Sequence, residues 1–126
     1  DYEEGTYTIV DRSGASLTIA NTVTPTYTKI GRLVFINFYI TYPTNSNGSN
    51  AKINLPFPVG AAAGYMYCTG RYSGGAKTNT TGIVMQMNQG SDETVFYPNT
   101  GAQSAYTNAQ ISGNYFLMSG CYVTDS

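Results

Sequence analysis

Histidine and tryptophan are absent from this 126-residue chain, and cysteine occurs only twice, at Cys68 and Cys121. Without histidine there is no Ser-His-Asp or Cys-His arrangement to activate a nucleophile. Two cysteines with no histidine also fall short of a zinc site. Each cysteine lies in an apolar alternating segment, "YMYCTG" and "FLMSGCYV". Their spacing specifies no disulfide framework, so both are expected to be free, buried thiols that pack as small hydrophobes. Charge is scarce too: Asp, Glu, Lys and Arg make up 10 % of the residues, against about 25 % in an ordinary soluble domain. The cations Arg12, Lys29, Arg32, Lys52, Arg71 and Lys77 are scattered singly in a chain of net charge −1, which leaves no basic stripe for phosphates and argues against a nucleic-acid partner. No apolar run approaches the roughly 20 residues that span a bilayer, so membrane insertion is not expected. The start "DYEEGTYT" has neither an initiating Met nor an apolar signal region and reads as part of a longer chain.

What the chain does have is 12 tyrosines, 14 glycines and many Thr, Ser and Asn, so its surface must be dressed with hydroxyls and amides rather than ions. No segment carries a helical period. Short runs rich in Thr, Tyr, Val and Ile alternate with Gly, Asn and Ser clusters, which is how antiparallel sandwiches and barrels are written. Strands are expected at 6–10, 16–24, 26–30, 32–42, 51–59, 63–72, 81–88, 93–98 and 114–124, giving an all-β domain that occupies residues 1–126 as one unit. Gly31 predicts a tight hairpin or bulge, and Asn47-Gly48 is the strongest short hairpin signal in the chain. Longer polar connections fall at 73–82 and 98–113, where binding loops of a sandwich would sit.

The stretch 25–43, "PTYTKIGRLVFINFYITYP", is the most apolar. At a period of two, Val34, Ile36, Phe38 and Ile40 share one face, while Leu33, Phe35 and Tyr39 share the other. A half-buried strand should be polar on one side. An apolar patch left in water usually marks an interface, so one of these faces is expected to meet another subunit and the other the core.

Catalysis has little to draw on. The carboxylates are Asp1, Glu3, Glu4, Asp11, Asp92, Glu93 and Asp125, and glycoside hydrolysis needs two of them held across a sugar. Only Asp92-Glu93 falls in a suitable loop, and neighbours at the start of a strand point in opposite directions. No enzyme is expected. Binding a sugar asks for less: an aromatic ring against its C–H face, with amides, carboxylates and guanidinium groups on its hydroxyls. Arg71, Tyr72 and Asn79 around one loop, Asp92, Glu93 and Tyr97 at another, and Asn99, Gln103, Tyr106 and Asn108 in the longest supply such groups. The same residues serve equally as strand and turn formers.

Four landmarks, "DYEEGTYT", "YTKIGRLVFINFYITY", "INLPFPVG" and "SGNYFLMSGCYVTD", occur in that order and span nearly the whole chain. Together they resemble the C-terminal domain found on many bacteriophage tail fibres and tailspikes. The match departs at Ile9-Val10, where the family often has proline, and at "KIN" before Leu55-Pro56-Phe57, where a glycine-containing segment is usual. The resemblance implies a jelly-roll-like β-sandwich that assembles as a homotrimer at the virion's tail tip, is made in the bacterial cytoplasm, and clamps the trimer, recognises host polysaccharide or lipopolysaccharide, or does both. No cofactor and no metal are expected. In such a protein the sequons Asn47-Gly-Ser49 and Asn79-Thr-Thr81 carry no meaning. The alternatives are a fragment of a carbohydrate-active enzyme and a non-phage trimeric adhesin or signalling β-sandwich.

Overall fold

The computed structural model describes residues 2–62, 66–73, 83–98 and 104–125, and of 66–73 the backbone alone. Eight strands form: β1 (Tyr2–Thr6), β2 (Ala20–Ile30), β3 (Leu33–Thr41), β4 (Lys52–Asn54), β5 (Met66–Ser73), β6 (Ile83–Met87), β7 (Glu93–Pro98) and β8 (Tyr115–Val123). Among the described residues the only helical piece is a 3-10 turn, Ala109–Ile111. The strands pair antiparallel throughout in the order β1-β2-β3-β8-β5-β6-β7-β4.

That ladder is not flat. In a flat sheet β7 would lie about 14 Å from β8, three strand spacings away. Yet Phe96 of β7 stacks on Phe116 of β8 with ring centroids 5.4 Å apart. The ladder therefore folds over between its halves and closes on one core. Val34, Ile36, Phe38 and Ile40 of β3 meet Phe116, Met118 and Tyr122 of β8, Ile83, Met85 and Met87 of β6, and Ile53 of β4 there. The even face of β3 is thus the inner one, and Leu33, Phe35 and Tyr39 face outward.

The hairpin at Gly31 forms as expected. Ile30 pairs with Leu33, and Gly31 takes φ 60 at the first central position of a two-residue turn, where glycine has no Cβ to clash. Elsewhere local signals yield to topology. The expected strands 16–24 and 26–30 merge into β2 across Pro25, whose missing N–H is tolerated because the register shifts there. The expected strand 51–59 shrinks to Lys52–Asn54, since Pro56 and Pro58 cannot donate to a ladder. Asn47-Gly48 is not a hairpin. The sides of β3 are taken by β2 and β8, so the chain crosses to the opposite layer to reach β4 beside β7. It does so through successive side-chain turns in which Asn45 Oδ1 accepts from Asn47 N at 3.0 Å and Asn47 Oδ1 from Ser49 N at 2.9 Å.

The expected strand 6–10 is also displaced, to 2–6, because residues 7–12 are the seam of the sandwich. β1 lies at the β2 edge, while Asp11 and Arg12 pair with Ile53 and Lys52 beside β4, at the far end of the ladder. Between them the chain is held by two amides. Asn21 of β2 accepts from Ile9 N at 2.9 Å and donates to Ile9 O at 3.0 Å. Asn54 of β4 accepts from Val10 N at 2.8 Å and donates to Thr8 O at 3.0 Å. A side-chain amide offers the same donor and acceptor as a peptide group, so these two residues continue the pairing where no strand reaches. Ile9, only 1 % exposed, fills the core beneath the seam.

Candidate functional site

The outer face of β1, β2, β3 and β8 is ordered into rows by the register. One row is Tyr2, Ile30, Leu33 and Val123; the next is Glu4, Thr28, Phe35 and Cys121; the third is Thr6, Thr26, Asn37 and Ser119. Beyond a register shift in β2 come Val23, Tyr39 and Leu117. A hydroxyl and amide band therefore lies between two apolar rows. Of the five large apolar side chains that stand exposed among the described residues, four lie here: Tyr2 at 64 %, Val23 at 57 %, Ile30 at 51 % and Phe35 at 43 %. Leu33 and Tyr39 are half-buried, Tyr39 against Tyr115 at 5.8 Å between ring centroids. The outward residues of β2, β3 and β8 include no charged side chain. Lys29, the one cation in β2, points inward, where its Nζ donates to Gly31 O at 2.8 Å and lies 5.8 Å from the centre of the Phe57 ring.

Two shallow depressions mark this face. One, of about 440 Å³, runs over Thr26, Thr28, Phe35, Asn37, Ser119 and Cys121. The other, of about 390 Å³, runs over Glu4, Gly5, Thr6, Thr26 and Thr28. Compared with family models, with curated proteins and with solved structures, the chain matches none.

The loop residues expected to bind sugar fare differently from one another. Asp92 forms an ion pair with Arg12, and Glu93 lies 3.7 Å from Arg12 and 3.9 Å from Lys52. Both carboxylates therefore serve to lock the seam onto β7 and β4. Tyr106 is only 5 % exposed, and its backbone bridges Phe96 O and Ala51 N, which leaves no ring face for a sugar. Asn108 is fully buried: its Oδ1 accepts from the Tyr42 hydroxyl at 2.5 Å and its Nδ2 donates to Ser13 Oγ at 2.9 Å and Asn47 Oδ1 at 3.0 Å. It ties loops together rather than presenting an amide to solvent. Tyr97 is half-buried on β7. Arg71 and Tyr72 belong to β5, where Arg71 pairs with Leu117 and Tyr72 with Phe116, and their side chains are outside the described residues, as are Asn79, Asn99 and Gln103. Cys121 is a free thiol but an exposed one, contrary to the expected burial, because its position in β8 alternates to the outer face.

The tyrosines divide by environment. Burial pushes the Tyr42 and Tyr122 hydroxyls far above their ordinary range, so both act as neutral hydrogen-bonding groups within the core. Tyr2 and Tyr27 are also raised, chiefly because each donates to a carboxylate, Tyr2 to Glu4 and Tyr27 to Glu3. Sequence reasoning singled out β3 on this face but missed Tyr2, Val23 and Ile30 and the band of Thr26, Thr28, Asn37 and Ser119. Alternation within β2 gave a weak signal for them. Only the register aligns them with Phe35.

Proposed function

We propose that the chain is a tail-fibre or tailspike tip domain of a bacteriophage, a jelly-roll-like module that self-associates as a homotrimer and helps the virion adhere to a host-surface glycan. The observation that carries this reading is the uncharged outer face of β2, β3 and β8, on which Leu33, Phe35 and Tyr39 lie among the exposed Val23 and Ile30. An extended apolar patch on a sheet is an aggregation hazard unless something covers it, and further copies of the chain are the partner always present at matching concentration. Burying about 100 Å² of apolar surface per residue at ~25 cal/mol/Å² would contribute several kcal/mol per subunit before the opposing association entropy. Adhesion rather than catalysis fits the carboxylates as well, since Asp92 and Glu93 are both held by Arg12.

Light scattering of the domain at micromolar concentration tests the assembly. The mass of a trimer is expected. A monodisperse species of 13.5 kDa would overturn the proposal.

A further inference from the structure

The loop residues described above are mostly spent on internal contacts, whereas β1 and β2 carry hydroxyls that are not. On β1 and β2 the hydroxyls of Thr6, Thr26 and Thr28 have no hydrogen-bond partner among the described residues, whereas Thr22 bonds Thr41 and Thr94 bonds Ile53 O. These three hydroxyls line the depression of about 390 Å³ together with Glu4, a volume within the ~300–1,000 Å³ of small-ligand sites. At its rim stands Tyr2, 64 % exposed, its hydroxyl tethered to Glu4 Oε2.

We propose that this trough over β1 and β2 is a carbohydrate-binding site for a neutral saccharide. The chemistry is complementary at each point. Threonine hydroxyls both donate and accept, and a carboxylate accepts two sugar hydroxyls at once. The Tyr2 ring, restrained by Glu4, offers a flat apolar surface to the C–H face of a pyranose. Charge sets the class of sugar. Glu4 lines the trough, and no Lys or Arg does. A uronic or sialic acid would therefore meet like charge, and a neutral sugar would not. The trough takes Glu4 and Thr28 from the Phe35 row and lies at the β1 edge of the self-association face. Each copy needs only millimolar affinity, because presentation in triplicate raises the effective concentration.

The inference rests on the sugar-recognising part of the proposed function, and its test separates the two. Maltotriose and chitotriose serve as neutral probes and sialyllactose as the acidic one, titrated into the isotope-labelled domain with amide chemical shifts as readout. Shifts are expected at residues 2–6 and 26–30 with at least one neutral probe, and binding of sialyllactose at least tenfold weaker. The double variant Thr26→Val/Thr28→Val keeps branched side chains suited to a strand while removing both hydroxyls, and should weaken neutral-sugar binding at least tenfold with the remaining spectrum unchanged. Glu4→Gln should narrow the gap between neutral and acidic probes. Shifts that map elsewhere, or binding that the double variant leaves intact, would overturn the trough while leaving a sugar-recognising domain. No shifts with any of the three probes would overturn both.

Discussion

Asp11 secures the loop that follows the seam with one carboxylate. Its Oδ1 accepts from the Ser13 N–H at 2.8 Å and the Ser13 hydroxyl at 2.5 Å, and its Oδ2 from Leu17 N at 2.9 Å. Burial works against its ionisation, yet these hydrogen bonds from Ser13 and Leu17 outweigh burial and hold the carboxyl below its ordinary value of 3.8. A folded value below the unfolded one means stability that is present above the unfolded value and lost as pH falls through the folded one. The wild type should therefore lose stability more steeply below about pH 4 than Asp11→Asn does, as measured by urea midpoints across pH 2 to 6. At pH 7 Asp11→Ala should cost about 2 kcal/mol, since three backbone and hydroxyl donors lose their acceptor. Phe35 belongs to the same scale and the opposite surface. Phe35→Asp should leave the melting temperature of the subunit nearly unchanged, because the side chain is 43 % exposed, while the desolvated carboxylate should break self-association by light scattering. Had Phe35 faced the core, the same change would have unfolded the chain.

At the scale of elements, the seam of residues 7–12 is the segment that decides whether the folded ladder stays closed. It holds through Asn21, Asn54 and the Arg12 ion pairs rather than through a full ladder of its own. Replacing both Asn21 and Asn54 by Ala should raise amide exchange at Ile9 and Val10 at least tenfold relative to core amides in β3 and β8, since their backbone groups lose partners worth about 1 to 3 kcal/mol each. Equal protection in the variant would mean that burial of Ile9 alone closes the seam. This is also where the sequence was least legible. The period of β3, the end points of β7 and the Gly31 turn depend on neighbours in sequence, and they were readable. Asn21 and Asn54 read as ordinary strand residues until the topology brings residues 8–10 between them. Asn47-Gly48 carries a hairpin signal that the crossing to β4 overrides. The candidate site was half legible for the same reason: the outward residues of β3 follow from alternation, whereas Thr26, Thr28 and Ser119 join them only through register.

For the whole molecule, the scarcity of charge and the two-faced β3 are one design. The core takes Val34, Ile36, Phe38 and Ile40, the chain is poor in ions, and four of the five large apolar side chains exposed among the described residues lie on one face. Cys121 lies in that face beside Phe35 and reports on it directly. Residue-resolved thiol labelling at Cys121, read by peptide mass spectrometry, should be slow in the wild type at micromolar concentration. It should become at least tenfold faster on dilution below the association midpoint or in Phe35→Asp. Labelling that is fast at every concentration, and equal in wild type and Phe35→Asp, would contradict a covered face and with it the assembly proposed for this domain.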